Sequence, residues 1–339
     1  MKLKFKNQQY QEDATKAVVD VFQGQTKIKV ESITMHRNEG YLGDMGNIDV
    51  VYNPRLHITD DVVTSNIKKI QEANLIPSSD FSNLNNFSIE METGTGKTYT
   101  YINTMYELYN TYGFSKFIIV VPSVAIREGV AKSFAVTEDH FQEKFGTKIR
   151  HYIYNSSTPQ NISDFSGGTG IQCLIMNYQA FNAKSKDARK IYQERDEFGS
   201  NRPIDLLKAC NPIMIIDEPQ KISDNTEAKI EEEFKPLFVL RYSATHKKGK
   251  DYNKLYALNA IDAYNQKLVK KIEVVGLELV NDKSEGTYLY VSEIEATKTG
   301  PVAHLEMEQK TASGVKKIMR KTKVNDNLYA YSNELQAYK

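Results

Sequence analysis

An apolar strand pattern that runs into Gly94-Thr95-Gly96-Lys97-Thr98 and out into a helical pattern constrains this chain more than any other feature. Phe87-Ser88-Ile89-Glu90-Met91 reads as the strand. Lys97 to Tyr109, with Tyr101, Met105 and Leu108 on one side, reads as the helix. Glycines at such a junction let backbone N–H groups curl around an anion, and the helix N-terminus adds partial positive charge. Lys97 would then reach the β- and γ-phosphates of a nucleotide, and the Thr98 hydroxyl would bind magnesium. The general form of such loops asks for Gly where Met91 stands, so the pattern present is the shorter one, Thr93 to Thr98.

Further runs at Phe117 to Val121, Ile171 to Met176, Ile213 to Ile216 and Leu237 to Tyr242 are apolar on both faces, as buried parallel strands are. Helical patterns at Ala125 to Phe134 and Thr226 to Phe234 lie among them, the second polar and expected at the surface. This alternation predicts an α/β fold, an open parallel sheet with flanking helices. Ligands of such sheets bind outside the carboxyl ends of the strands. Here those ends lead into the glycine loop, Pro122-Ser123, Asn177-Tyr178-Gln179, Asp217-Glu218 and Ser243-Ala244-Thr245. Five polar clusters are therefore expected along one sheet edge.

Each cluster has a chemical reading. Asp217, at the end of an apolar strand, would hold Mg²⁺ directly or through water. Glu218 would polarise an attacking water as a general base. Ser243, Ala244 and Thr245 follow the next strand, where small hydroxyl residues can bridge the acid pair to the nucleic-acid side and sense the γ-phosphate. His246 either joins that network or is a loop residue. Ser123 and Arg127 suit a nucleic-acid phosphate after Pro122. Ser123 also suits a helix N-cap, and both readings can hold together. Asn177 and Tyr178 sit at a comparable place and could touch sugars or phosphates. Near the N-terminus, Gln8-Gln9-Tyr10-Gln11 precedes an expected helix from Glu12 to Phe22. The Gln11 amide can pair with both the donor and the acceptor of an adenine edge, with Tyr10 packing nearby, whereas the plainer alternative is a helix cap.

Composition narrows the partners. Lys plus Arg number 44 against 43 for Asp plus Glu, so no whole-chain basic field exists, and any nucleic-acid contact must be local. Local runs occur at His246-Lys247-Lys248-Gly249-Lys250 and from Lys316-Lys317 to Lys321 and Lys323, where solvation is the usual fate of lysines. Two cysteines, Cys173 and Cys210, make neither a disulfide framework nor a cysteine zinc site. No signal-peptide pattern and no apolar run near 18 residues occur, so a cytoplasmic protein without membrane attachment is expected. Glu308-Gln309-Lys310 and Glu233-Phe234-Lys235 have the Glu-x-Lys form of metal-dependent nucleases. Neither has a well-placed Asp on a preceding strand, so no nuclease site is expected here.

Two stretches stand apart from the strand–helix core. Residues 26–80 read as an insertion, with a hairpin from Lys27 to Val51 and a helix from Val62 to Ala73. After Val269, Lys271 to Val275 and Thr287 to Val291 alternate like strands, Thr297 to Pro301 is a turn signal, and the tail from Asn325 has no clear core pattern.

With these motifs in view the chain resembles superfamily two helicases, and more narrowly the Res subunit of type III restriction–modification enzymes. The resemblance rests on Gln11, Glu92 to Thr100, Val121-Pro122-Ser123 with Ala125 to Gly129, Asn177 to Phe181, Asp217-Glu218-Pro219-Gln220 and Arg241 to His246. It covers about residues 1 to 280. It implies a RecA-like ATP-binding domain over 1–262, then a linker and the partial, β-rich start of a second domain over 263–339. It implies ATP with Mg²⁺ as cofactors, double-stranded DNA as substrate and a Mod methyltransferase subunit as partner. Catalysis would fall to Lys97, Asp217 and Glu218. ATP would be held by Gln11 and by Thr93, Gly94, Thr95, Gly96, Lys97 and Thr98, and magnesium by Thr98 and Asp217. Family members also carry a second RecA-like domain with an arginine finger and a C-terminal endonuclease domain, so this chain is expected to be an N-terminal portion. A general DNA translocase outside restriction, or a non-catalytic nucleotide- or DNA-binding module, fits the same residues. A downstream nuclease domain would separate the first, and an ATPase assay the second.

Overall fold

Seven parallel strands organise the first of two compact units, residues 1–271, and three antiparallel strands the second, residues 272–339. The computed structural model describes residues 5–28, 31–35, 48–155, 158, 160–181, 190–195, 198, 201–247, 252–270, 288–297 and 300–339. The first unit opens with α1 (Gln9–Asp20), the antiparallel pair β1 (Glu31–Met35) and β2 (Ile48–Tyr52), and α2 (Asp60–Ala73). Then come β3 (Asn86–Met91), α3 (Lys97–Tyr112), β4 (Lys116–Val121), α4 (Val124–Phe145), β5 (Arg150–Ile153), α5 (Gln160–Gly167) and β6 (Gln172–Asn177). The unit continues through α6 (Pro203–Ala209), β7 (Ile213–Asp217), α7 (Asp224–Phe234), β8 (Val239–Ser243), β9 (Asn253–Leu258) and α8 (Ala260–Asn265). The large sheet has the order β5-β6-β4-β7-β8-β3-β9, and every neighbouring pair is parallel.

The period of two along each strand divides the core into two layers. Phe117, Ile119, Cys173, Ile175, Ile213, Ile215, Leu240 and Tyr242 face one layer, with α1, α2 and α3 against it. The alternate residues Ile118, Val120, Leu174, Met176, Met214, Ile216 and Val239 face the other, packed with α6 and α7. Both faces of β4, β6, β7 and β8 are buried, which is why these strands read as continuous apolar runs. The edge strands β5 and β9 escape a sequence reading because Arg150-His151-Tyr152-Ile153 and Asn253 to Leu258 are only partly covered.

Two expectations need correction. The helix expected to be polar and exposed, α7, buries Glu227, Ile230 and Phe234. Its Glu227 carboxylate is 2.5 Å from Nε of Arg241, a fully buried guanidinium on β8, so a residue that reads as surface is half of an interior ion pair. The described part of the insertion contributes to the core. Val63, Ile67 and Ile70 of α2 join the first layer and Val50 of β2 the second. The buried amide of Asn53 donates to the carbonyls of Lys116 (2.8 Å) and Asn211 (3.0 Å) and accepts from the N–H groups of Ser115 (2.7 Å) and Lys116 (2.9 Å), stitching the insertion to the start of β4. The stretch joining β1 to β2, residues 36–47, lies outside the described residues.

In the second unit β10 (Leu289–Thr297), β11 (Gly300–Thr311) and β12 (Gly314–Lys323) form a meander with β11 in the middle. Thr297 pairs with Gly300 within the stretch read as a turn, Thr297 to Pro301, of which 298–299 lie outside the described residues. The strand read at Lys271 to Val275, and Thr287, lie outside the described residues. The tail, with α9 (Leu328–Tyr331), is tied back by polar contacts. The Glu308 N–H donates to the Tyr338 hydroxyl (2.8 Å) and the Gln309 amide to the Tyr331 carbonyl (2.9 Å), and such contacts leave no apolar period in the sequence.

Candidate functional site

The glycine loop starts from a strand held on both sides, β3 between β8 and β9, and Glu92 still donates its N–H to the Leu258 carbonyl of β9 (3.0 Å). The chain then turns tightly. Thr95 returns its N–H (3.2 Å) and its hydroxyl (2.6 Å) to the Glu92 carbonyl. Gly94 and Gly96 take φ of 83° and 90°, the left-handed region that L side chains disfavour. A Cβ on Gly96 would also stand 2.5 Å from Gln11 Nε2. Lys97 opens α3, and its ammonium bridges the Met91 carbonyl (3.3 Å) and the Glu218 carboxylate (3.1 Å).

The acids stand at the end of β7, one strand beyond β8. Glu218 remains strapped to that strand, its N–H donating to the Tyr242 carbonyl (2.9 Å). Its φ of 55° is unusual for a residue with a side chain and turns the chain abruptly into Pro219–Lys221. Asp217 is 5% exposed. Burial first, and the neighbouring Glu218 charge second, push its carboxyl up to about 6, against the pull of Lys97, Lys221 and the Tyr101 hydroxyl. Tyr101, fully buried on α3, faces Thr98 and Asp217. Its hydroxyl has no hydrogen bond of good geometry among the described residues. Thr98 and Asp217 thus present oxygens on either side of the buried Tyr101 hydroxyl, and Glu218 follows Asp217 in the chain, facing Lys97. This is hard-ligand chemistry that fits Mg²⁺, which takes one or two carboxylates beside substrate phosphates. Among the described residues no cluster of three His, Cys, Asp or Glu side chains forms a metal cage.

The third cluster lies on β8, between the loop and the acids. Gln220 connects them: its amide donates to the second oxygen of Glu218 and accepts from the Ser243 hydroxyl (2.7 Å). Ser243 Oγ is also 2.5 Å from the Thr245 carbonyl oxygen, so its single proton serves two acceptors in turn. The Thr245 N–H donates back to Ser243 Oγ (3.2 Å). Ala244 occupies the turn, and His246 lines a small cavity with Pro219, Gln220 and Arg241. Lys247 is a brace, bonded at 2.6 Å to both the Ile222 carbonyl and Asp224, so this member of its basic run has protein partners. Residues 248–250 of that run lie outside the described residues.

Gln11 lies inside α1, and the N-cap, Gln8, makes no side-chain cap bond. The Tyr10 hydroxyl (2.8 Å) and the Gln11 amide nitrogen (2.9 Å) both donate to the Thr95 carbonyl, so this pair supports the loop from outside. Asn103 of α3 donates to Thr15 (3.1 Å) and Glu12 (3.3 Å), fixing α1 on α3. Across the same edge, Ser123 caps α4 by accepting the Ile126 N–H (3.3 Å). Arg127 pairs with Glu128 at 2.9 Å. Asn177 accepts the Gln179 N–H (3.0 Å), and Tyr178 opens a short helical turn. Pro122, Ser123, Asn177 and Tyr178 follow β4 and β6, while the loop, acids and Ser243 follow β3, β7 and β8. The edge therefore has two sectors. Sequence reasoning assigned no role to Gln220, Tyr101 or Arg241. Gln220 stands in the Asp-Glu-Pro-Gln run, but its contact with Ser243 spans 23 positions and has no local signature.

A parallel sheet that feeds a glycine loop into a helix, with acids two strands away, defines the RecA-like P-loop class. The chain belongs to the type III restriction enzyme Res subunit family, whose model matches residues 4–248. It is 34% identical over 290 residues to the EcoP15I Res subunit of Escherichia coli and 32% over 289 residues to the EcoPI Res subunit of Escherichia phage P1. Each match covers 79% of this chain and 28% of the relative. The StyLTI Res subunit of Salmonella typhimurium is 31% identical over 63% of this chain and 25% of its own length. The chain thus spans about a quarter of the length of these curated relatives. Among solved structures, the UvsW helicase from bacteriophage T4 aligns with 54% of this chain and 53% of its own at 14% identity and a TM-score of 0.30, a likeness too distant to add to the strand order above. Among the described residues no helix is long and apolar enough to cross a membrane.

Proposed function

We propose that this chain binds ATP with Mg²⁺ at residues 93–98 and forms one half of an ATPase motor. In a full-length Res subunit that motor would move along double-stranded DNA, with a Mod partner, before cleavage by a further domain. The observation that carries this reading is the Lys97 ammonium, shared between the carbonyl of Met91 at the end of β3 (3.3 Å) and the Glu218 carboxylate (3.1 Å). A triphosphate seated in the loop would take that ammonium by charge-assisted bonds and release Glu218 toward an attacking water. Thr98 and Asp217 would hold Mg²⁺, which supplies charge neutralisation at the phosphate oxygens. Tyr10 would hold the loop, and the Gln11 amide, which donates to the Thr95 carbonyl and the Tyr10 hydroxyl, would turn from them to read the adenine edge. Gln220 would carry the state of Glu218 to Ser243 and Thr245, and so toward the DNA sector at Pro122, Ser123, Arg127, Asn177 and Tyr178.

Titration with a fluorescent ATP analogue tests the site. Lys97→Ala should lose most affinity, and equal affinities for both proteins would remove Lys97 from the site. Steady-state phosphate release should stay slow with and without duplex DNA. In related phosphate chemistry an arginine finger from a second domain is worth roughly 10³ to 10⁵ in rate. Fast, DNA-stimulated turnover by this chain would place the finger within it or within a second copy.

A further inference from the structure

The strand β12 carries a charge pattern that the nucleotide site does not use. Between Lys310 and Lys323 stand Lys310, Lys316, Lys317, Arg320, Lys321 and Lys323 with no acid among them, in a chain whose net charge is only +1. The five cations on β12 are all exposed. Strand alternation sends Lys317, Lys321 and Lys323 to one face and Lys316 and Arg320 to the other. In the order β10-β11-β12 this strand is an edge, so the two rows flank a rail of backbone groups that no described strand pairs. Among the described residues only Lys321 of the six has a carboxylate within ion-pair distance, Glu295 at 3.6 Å. Of the other acids near this sheet, Glu293, Glu306 and Glu308 lie on β10 and β11, while Asp326, three residues past β12, accepts the Lys323 N–H (2.7 Å), so the acid-free run spans β12 and ends there. Two side chains are propped by rings: Arg320 lies 4.7 Å over Tyr331 and Lys317 3.3 Å over Tyr288. Exposed Val315 and Met319 interrupt the basic rows with apolar contact surface.

We infer that the β12 edge binds the phosphate backbone of duplex DNA. At about 3.4 Å per residue, Lys316 to Lys323 spans roughly 24 Å, the length of about seven phosphates along one strand. A linear array suits a linear polyanion better than a single anionic group. Edge lysines also discourage strand addition, but that role requires no acid-free run along a whole strand. The choice of DNA over another polyanion rests on the proposed motor function.

The test is fluorescence anisotropy of the whole chain with a labelled duplex of about 30 base pairs, between about 50 and 200 mM salt. The variant combines Lys316→Gln, Lys317→Gln, Arg320→Gln and Lys321→Gln, all exposed positions, with thermal melts to confirm an unchanged fold. The slope of log affinity against log salt should shrink by about 0.9 for each phosphate that is no longer neutralised, or ~3.6 if all four side chains reach one. ATP affinity, read separately, should not change. An unchanged slope overturns the inference, as does a wild-type chain that binds ATP but no duplex. Competition by polyglutamate as effective as by duplex also overturns it, assigning the edge to an acidic protein partner. Loss of ATP binding by the wild-type chain would instead strike the nucleotide reading.

Discussion

Replacing Asp217 by Asn should make the protein more stable in the absence of nucleotide while removing the carboxylate proposed to hold magnesium. The carboxyl is 5% exposed and its pKa is raised from 3.8 to about 6 by burial and by Glu218. The native state therefore holds this proton more tightly than the unfolded chain does. The contribution is fully present below about pH 4 and is lost as pH rises through about 6. A rise of that size, at ~1.4 kcal/mol per pH unit, sets a ceiling of ~3 kcal/mol on the loss at neutral pH. The Asn amide keeps the shape and carries no charge, so the variant escapes the loss. Near neutrality it should lead by roughly 1–3 kcal/mol, a melting shift of roughly 3–10 °C for a domain of this size. Thermal melts in chelator at about pH 4.5 and about pH 7.5 read both the sign and the pH dependence. ATP with Mg²⁺ should then raise the wild type and leave the variant unmoved. Equal melting temperatures near neutrality, or a gap that does not change with pH, would refute the reasoning.

Gly96→Ala places a Cβ 2.5 Å from the Gln11 amide on a backbone with φ of 90°. The side chain of Gln11 can move but the left-handed strain of ~1–2 kcal/mol cannot, so nucleotide titration should show weaker binding, and unchanged binding would mean that the loop relaxes. Gln220→Ala cuts the bridge from Glu218 to Ser243. Nucleotide affinity should stay within about twofold while a full-length protein loses DNA stimulation of phosphate release, since a pairwise contact couples only the groups it joins. Stimulation retained in full would show another route between the two sectors.

What could be read from the sequence was local. Phe117 to Val121 and Ile213 to Ile216 announce buried strands because both of their faces meet apolar layers. The loop announces itself because glycine at Gly94 and Gly96 is required by backbone angle, a property of the residue alone. What could not be read depends on partners far along the chain. Glu227 looks like a surface acid until Arg241 is placed beside it, and Tyr101 looks like plain core until its hydroxyl meets Thr98 and Asp217. Asn53 has no pattern at all, yet it closes the start of β4 through two donors and two acceptors. The alternation of β5 and β9 is blurred by partial exposure, as expected at the margins of a sheet.

The position of β8 bears on how the chain is made. β3 pairs only with β8 and β9 in the sheet, and both are synthesised long after it, with Asn86 meeting Val239 and Phe87 meeting Asn253. A nascent chain that has emerged only as far as β7 can align β5, β6, β4 and β7, but its glycine loop hangs from a strand with no neighbour. Such long-range parallel pairing is slow and leaves sticky edges exposed meanwhile. The glycine loop should therefore be among the last parts of the first unit to take shape. Fragments that stop short of Ser243 should carry the whole motif and yet fail to form it.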